Sequence, residues 1–189
     1  MWWKRFYEER IYTGRIVSSG IIIGILTAMA MPHYEKSVWQ SRNTQLKTAA
    51  RTIADAQMMH FIKTGKIPTS FDSLSVSIPL KVKSTTAGTS SNICRMTVRK
   101  GKGVLEGKNF IVILNSSSDK TGTSVALWTE GKYKCNGFVW RVYGTKGNPV
   151  QCLEARNGTS TIDDGEFCED LETAVHAKTD SGWAKYDIP

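Results

Sequence analysis

The pattern of apolar and polar residues changes twice along this chain. From Ile16 to Tyr34 no residue carries a fixed charge. From Tyr34 to Thr64 apolar residues recur at three- and four-residue steps among charged ones, which predicts an amphipathic helix. After Thr64, strand-length runs rich in Val, Ile, Trp and Phe alternate with short polar loops. The pattern therefore predicts an α+β fold, in which one long helix packs on a small antiparallel β-sheet.

The uncharged segment, residues 16–34, is long enough for a membrane span, because about 20 apolar residues cross a bilayer core of about 30 Å. Gly20 and Gly24 are typical of positions where membrane helices pack closely on each other. Pro32 is expected to kink the helix rather than end it, because the amphipathic pattern continues beyond it. We therefore predict a transmembrane half at residues 16–34, with Gly20 and Gly24 as packing positions and Pro32 as the kink.

Basic residues dominate the start of the chain, residues 1–15: Lys4, Arg5, Arg10 and Arg15. By the positive-inside rule this segment lies in the cytoplasm and the rest of the chain, residues 35–189, faces outward. The alternative is a cleaved signal peptide with a cut near Ala30, which would release a secreted, cysteine-bridged domain. The helical pattern that continues through Ala30 favours the uncleaved membrane helix.

The outward part begins with the amphipathic helix, residues 35–64, which should end near Thr64 because Gly65 supplies a stop and Pro68 forbids continuation. Four runs then predict an antiparallel meander that packs on the helix: NICRMTVRK, NFIVILN, SVALWTE and GFVWRVYG. After GTKGNP the chain is expected to be irregular, with a short helix in GEFCEDLETAVHA. Trp183, Tyr186 and Ile188 are spaced like a last edge strand or a tail pressed on the sheet.

Four cysteines lie in the outward part, and none of them forms a Cys-x-x-Cys pair typical of zinc or redox sites. Disulfides are the natural interpretation, and three pairings are possible. We favour Cys94 with Cys135 and Cys152 with Cys168, because each pair closes a loop within one coherent part of the chain. Four free thiols are the alternative.

The first third of the chain resembles the type IV pilins and the pseudopilins of type II secretion. The likeness lies in GIIIGILTAMAMPHYEKSVWQSR and in the helix end TGKIPTSFDSL. It includes Gly24, Ile25, Leu26, Ala30, Pro32, Tyr34, Lys36, Ser41 and Arg42. The rest of the chain is similar to that family only in architecture. The resemblance implies a membrane-stored stalk that polymerises with the stalks of other subunits, and a head that decorates the filament.

One part of the chain departs from the family. A family member is normally cut after a glycine, which leaves phenylalanine first and a glutamate in the first helical turn. At the family's spacing from Pro32, the glutamate position is Arg15 and the glycine position is Arg10. Gly14 is the nearest glycine, but it lies too close to Pro32. The departure bears on processing and on the contact that the glutamate makes with a neighbouring subunit.

Charge is divided along the outward part. Lys and Arg outnumber Asp and Glu from Glu35 to Lys108, and the reverse holds from Val150 to Pro189. Unlike surfaces on one subunit suit head-to-tail contacts in a helical assembly, although both could be ordinary solvated surface. DNA binding by the basic loops is not expected, because no aromatic residues are interleaved for base stacking. The basic residues concerned are Lys81, Lys83, Arg95, Arg99, Lys100, Lys102 and Lys108.

Candidates for chemistry are few. Asp163, Asp164 and Glu166 are weak calcium candidates, but their spacing does not fit an EF-hand loop. We favour the interpretation that Asp163 or Asp164 caps the short helix that follows. His33, His60 and His176 are isolated, and no phosphate-binding loop or Gly-x-Ser-x-Gly sequence is present. We therefore expect no catalytic residues and no cofactor.

The predicted function is a structural subunit of a type IV pilus or type II secretion pseudopilus, which assembles with other subunits through its apolar helix. Its predicted location is the bacterial inner membrane, crossed once, with the head in the periplasm or at the cell surface in a filament. The alternative is a single-pass anchored protein whose head binds a partner and does not polymerise. Arg15 and the missing processing glycine favour that alternative.

Overall fold

The first element of the computed structural model is one helix, α1, at Trp2–Thr64. The structure describes residues 2–68, 70–76, 80–83, 92–94, 96–97, 103–118, 121–143, 149–156, 162–180 and 182–189, and the side chains of α1 from Gly20 onward. The chain separates into two compact units, Met1–Ser41 and Arg42–Pro189. The second unit, which we call the head, contains the last part of α1 and the sheet.

The end of α1 confirms the prediction at Thr64. Gly65 adopts φ 71°, a left-handed conformation that favours glycine, and its N–H donates to the carbonyl of Phe61 at 2.8 Å. Ile67 and Pro68 follow and are buried. A 3-10 turn at Phe71–Ser73 comes next, in which the Ser70 hydroxyl accepts a hydrogen bond from the N–H of Asp72 at 3.1 Å.

Among the described residues, ten strands follow the helix. They are β1 (Lys81–Lys83), β2 (Asn92–Ile93), β3 (Met96–Thr97), β4 (Val104–Glu106), β5 (Phe110–Ser118), β6 (Thr121–Trp128), β7 (Gly137–Tyr143), β8 (Val150–Ala155), β9 (Val175–Asp180) and β10 (Trp183–Asp187). Eight of them form one antiparallel sheet in the order β1-β4-β5-β6-β7-β8-β10-β9, and β2 and β3 form a separate hairpin. A six-residue π-helix, Glu166–Leu171, lies between β8 and β9.

The α+β class and the packing of the helix on an antiparallel sheet are confirmed, but the sheet is larger than the small meander predicted. In the run NICRMTVRK the described residues form two short paired strands, Asn92–Ile93 and Met96–Thr97, and the chain turns at Cys94, whose φ is 51°. The stretch after GTKGNP is strand β8 rather than irregular chain. The predicted short helix consists of the π-helix, three further residues and the start of β9, and β9 rather than β10 is the strand at that edge of the sheet.

Both faces of the sheet are covered, which explains why its central strands are buried continuously instead of alternating. On one face, a core formed by β4–β8 and β10 packs against Cys94 and Met96 of the hairpin. On the other face, Ala54 of α1 packs with Ile67 and with Val142 of β7. Leu46, Ala50 and Ile53 of α1 have no exposed surface. The apolar stripe predicted for the second half of the helix is therefore buried within the head.

Gln57 interrupts this stripe. It is fully buried, and neither atom of its side-chain amide has a hydrogen-bond partner among the described residues. A buried amide without partners costs roughly 1–3 kcal/mol of stability, because it has lost its hydrogen bonds to water and gained none.

Replacing Gln57 by methionine should therefore stabilise the head. Methionine is unbranched, of similar length and a good helix former, so Gln57→Met should raise the free energy of unfolding by about 1–3 kcal/mol in urea denaturation. Gln45→Met, at an exposed position of the same helix, is the matched control and should change it by less than about 0.5 kcal/mol. A destabilised Gln57→Met variant would show that the amide has a partner in solution.

Candidate functional site

The candidate assembly surface is the helical segment from Gly20 to Tyr34. Its large apolar side chains are 53–71% exposed: Ile21, Ile22, Ile23, Ile25, Leu26, Met29, Met31 and Tyr34. At 100° per residue these positions surround most of the helix, so the segment has no polar face. A helix that is apolar all round belongs in a protein core or in a membrane. Exposed apolar surface of this extent marks a surface that is covered by something else.

The two predicted packing glycines lie together on this segment. Gly20 and Gly24 are one helical turn apart, and a Cβ added to either would meet no atom within 4 Å. Helix geometry places Thr27 and Ala28 beside them, which gives a narrow side of small residues. The Thr27 hydroxyl donates to the carbonyl of Ile23 at 2.8 Å, so its donor is satisfied within the helix.

Pro32 lies inside α1, and the helix continues through it as predicted. Proline has no N–H, so the carbonyl of Ala28 lacks its usual helical donor. The Ser37 hydroxyl donates to the carbonyl of His33 at 2.9 Å, one residue beyond the proline.

Among the residues whose structure is described, no helical stretch is long and apolar enough to span a bilayer. The side chains of residues 16–19, the start of the predicted span, lie outside the described part of the chain. The membrane-spanning half thus stays a prediction.

Two disulfides hold the head together, and they have the pairing favoured from the sequence. Cys94 is bonded to Cys135, which ties the β2–β3 hairpin to the β6–β7 connection. Cys152 of β8 is bonded to Cys168 of the π-helix, and both of these residues are fully buried.

The calcium candidates do not converge. Glu166 is paired with Lys132 at 2.5 Å, Asp164 is paired with Arg156 at 3.2 Å, and Asp163 is exposed. Within the described part of the chain no group of three or more acidic, histidine or cysteine side chains could hold a metal ion.

The predicted cap of the short helix is wrong. The residue that precedes the π-helix is Gly165, which has no side chain to serve as a cap. The acceptor is instead Glu154 of β8, which is 2% exposed. One of its carboxylate oxygens accepts the N–H groups of Phe167 and Cys168 at 2.9 and 2.6 Å, and the other accepts the N–H of Gly165 at 2.8 Å. A buried carboxylate thus replaces the local cap that the sequence suggested.

The hydroxyl of Tyr186 completes the environment of Glu154 by donating to its carboxylate at 3.0 Å. Burial, followed by the negative charge of Glu154, raises the pKa of Tyr186 to about 12, and a hydrogen bond from Arg156 acts in the opposite direction. The hydroxyl therefore stays protonated and donates throughout the physiological pH range. Sequence reasoning missed Glu154, although a lone acidic residue among the apolar positions of VQCLEA is a usable signal.

A second polar cluster, within the head, fastens the last part of α1 to the sheet and to Glu172. The indole N–H of Trp128 donates to Oδ1 of Asn43 at 3.0 Å, and the Asn43 amide donates to Glu172 at 2.7 Å. Lys47 forms an ion pair with the other oxygen of Glu172 and lies over the ring of Phe138, 4.9 Å from its centroid. Asn43 is fully buried. The cluster fixes the position of α1 on the sheet, because the apolar stripe alone would permit sliding.

A shallow groove of about 300 Å³ lies between α1 and the segment after the 3-10 turn. It is lined by Thr52, Asp55, Ala56, Met59, His60, Lys63, Ser75 and Val76. His60 has a structural contact there, with its Nδ1 3.0 Å from the carbonyl oxygen of Ser73. His176 contacts the hydroxyl of Thr179 at 3.1 Å and the ring of Tyr186. His33 lies on the exposed part of α1.

Four of the seven basic residues considered for DNA contacts lie outside the described residues: Arg95, Arg99, Lys100 and Lys102. Lys81 and Lys108 are exposed, and the backbone of Lys83 is part of β1.

Comparison of the chain with protein-family models, with curated proteins and with solved structures gives no match. The geometry of the chain itself therefore carries the functional argument.

Glu154→Gln should destabilise the head by about 2–4 kcal/mol, because an amide supplies one acceptor oxygen where three N–H groups and a hydroxyl converge. Glu130→Gln, at an exposed position, is the matched control and should change the free energy of unfolding by less than about 0.5 kcal/mol. Equal stability of the two variants in urea denaturation would contradict the role assigned to Glu154.

Tyr186→Phe should lower stability at neutral pH, and the difference from the unsubstituted protein should shrink as pH rises. The pKa of Tyr186 is raised from 10.0 to about 12, so its contribution is full below pH 10 and is lost as pH rises toward 12. Urea denaturation of both proteins from pH 8 to about 11.5 measures the difference. A constant difference across this range would show that the hydroxyl does not titrate as the structure implies.

Proposed function

We propose that this chain is a pilin-like subunit that assembles, through the apolar part of its N-terminal helix, into a type IV pilus or a type II secretion pseudopilus. The observation that carries the proposal is the exposure of every large side chain from Ile21 to Met31. Leaving that surface in water costs about 25 cal/mol for each Å² of apolar area. A second environment, lipid or other subunits, has to supply the cover.

Lipid and neighbouring subunits can cover this apolar surface in turn. In the membrane, lipid tails cover the apolar segment, and in a filament the same segments of neighbouring subunits cover each other. The two states bury similar apolar area, so assembly exchanges lipid contacts for protein contacts at small net cost. Gly20 and Gly24 permit close approach of a neighbouring helix, and Thr27 brings no unsatisfied hydroxyl into the contact. These features favour packing between the apolar segments of neighbouring subunits over a segment that only anchors the chain in the membrane.

The head fits an outward location. Both of its disulfides would persist in an oxidising compartment such as the periplasm or the cell surface. Its acidic side chains concentrate near the π-helix, where Asp163, Glu169 and Asp170 are exposed. Lys63 and Lys66 are exposed at and just after the end of α1. Unlike charges on separate parts of one subunit suit head-to-tail contacts in a helical filament.

The second candidate is an anchored binding module that does not polymerise. The specific observation in its favour is Arg15, which stands where the family has a glutamate, together with Arg10 in place of the processing glycine. A subunit without that glutamate lacks the pairing with a neighbour's amino terminus. Filament assembly by this chain would then rest on apolar packing alone.

Gly24→Leu is the test of stalk packing. A side chain at position 24 meets nothing within the chain itself, so the head should fold normally and any loss of filaments has to arise between subunits. We expect at least a tenfold reduction of the protein in sheared filaments, because the added side chain separates helices that pack at a glycine.

Ile25→Leu introduces the same residue one position further, where a large side chain already stands, and is the matched control. It should leave filament yield unchanged. Normal assembly of Gly24→Leu would refute packing at this position. Absence of the unsubstituted chain from filaments, with the whole of it in the membrane, would favour the anchored module.

A further inference from the structure

Strand β8 holds Cys168 at two points. The sulfur of Cys168 is bonded to Cys152, and the N–H of Cys168 donates to the carboxylate of Glu154 at 2.6 Å. Residues two apart in a strand point to the same face of the sheet, so Cys152 and Glu154 form one continuous contact surface for the π-helix. Both residues are buried, at 0% and 2% exposure.

The sheet separates the two disulfides. Cys135 lies in the core cluster that includes Leu153, and Cys94 packs against that cluster. Cys152 is the neighbour of Leu153 in the strand and therefore points to the opposite face. Once the sheet has formed, Cys168 is the partner on the face of Cys152. The remaining requirement is to bring Cys168, 16 residues further along the chain, to that face.

We propose that Glu154 is a positioning residue for oxidative folding, which selects Cys168 as the partner of Cys152. In the folded structure its carboxylate accepts the N–H groups of Gly165, Phe167 and Cys168. In the proposed order of events these hydrogen bonds form before the disulfide. Three hydrogen bonds to one buried anion fix the π-helix backbone on β8 and thereby place the Cys168 thiol beside the Cys152 thiol. These hydrogen bonds offset the entropy that is lost when the loop between Cys152 and Cys168 closes, before the covalent bond forms.

The chemistry is ordinary thiol–disulfide exchange with a small disulfide such as oxidised glutathione. One protein thiolate attacks oxidised glutathione and releases one glutathione thiolate, which leaves a mixed disulfide on the protein. The second protein thiolate attacks the protein sulfur of that bond and releases the second glutathione. Two cysteine thiols are oxidised and one glutathione disulfide is reduced. Glu154 takes no part in the electron transfer and acts only on the second step, by holding the attacking and attacked sulfurs together.

This inference concerns the folding of the head and does not depend on filament assembly. Four cysteines permit three complete pairings, so an error at Cys152 also misdirects Cys94 and Cys135. A residue that directs one pair correctly leaves the other two cysteines with one choice.

The test is refolding of the reduced full chain in detergent with reduced and oxidised glutathione, quenched with iodoacetamide at intervals and followed by peptide mapping. Pairing is determined in molecules trapped with a single disulfide, so no variant has to reach the folded state to be scored. In the unsubstituted protein we expect Cys152–Cys168 to be enriched among these molecules. In Glu154→Gln that enrichment should fall about tenfold, a change equivalent to about 1.4 kcal/mol.

Three controls separate positioning from stability. Ile111→Ala removes a fully buried side chain from the opposite face of the sheet, so it destabilises the head without touching Glu154. Tyr186→Phe removes the hydroxyl donor of Glu154 and leaves its three backbone donors. Glu130→Gln makes the same chemical change at an exposed position. All three should retain the enrichment of Cys152–Cys168. Unchanged pairing in Glu154→Gln, or equal mispairing in Ile111→Ala, would overturn the proposal.

Discussion

Apolar surface has to be removed from water, and the two compact units of this chain differ in how they satisfy that constraint. The head satisfies it internally, because α1 and the π-helix pack on one face of the central strands and the β2–β3 hairpin packs against the other. The segment from Gly20 to Tyr34 presents its apolar side chains to solvent. The helix α1 therefore contributes to two apolar surfaces, one buried in the head and one exposed.

Polar contacts fix the positions of the helices that pack on the sheet. The Asn43 cluster fixes the position of α1 along the sheet, and Glu154 fixes the π-helix on β8. Both clusters hold the same stretch of chain, since Glu172 follows the π-helix directly. The π-helix and Glu172 are therefore held by a disulfide, a buried carboxylate and a contact with α1.

The sequence predicts the features that depend on neighbouring residues. The end of α1 follows from Gly65 and Pro68. The cysteine pairing is one of three that the sequence permits, favoured because each pair closes a loop within one part of the chain. Strand β8 was missed because Gln151, Cys152 and Glu154 interrupt its apolar pattern, although the three-dimensional structure buries them all. The cap of the π-helix was assigned to Asp163 or Asp164 by a local rule. Its true acceptor lies 11–14 residues earlier in the chain, and only the fold brings it there.

The proposed role of the apolar helix segment is polymerisation. Intact mass and N-terminal sequencing of the protein from the membrane and sheared-filament fractions of its own host test that role. We expect the chain in the sheared-filament fraction, and a cut, methylated amino terminus there would show processing despite Arg15. An uncut chain confined to the membrane fraction would refute polymerisation and indicate an anchored protein whose head works alone.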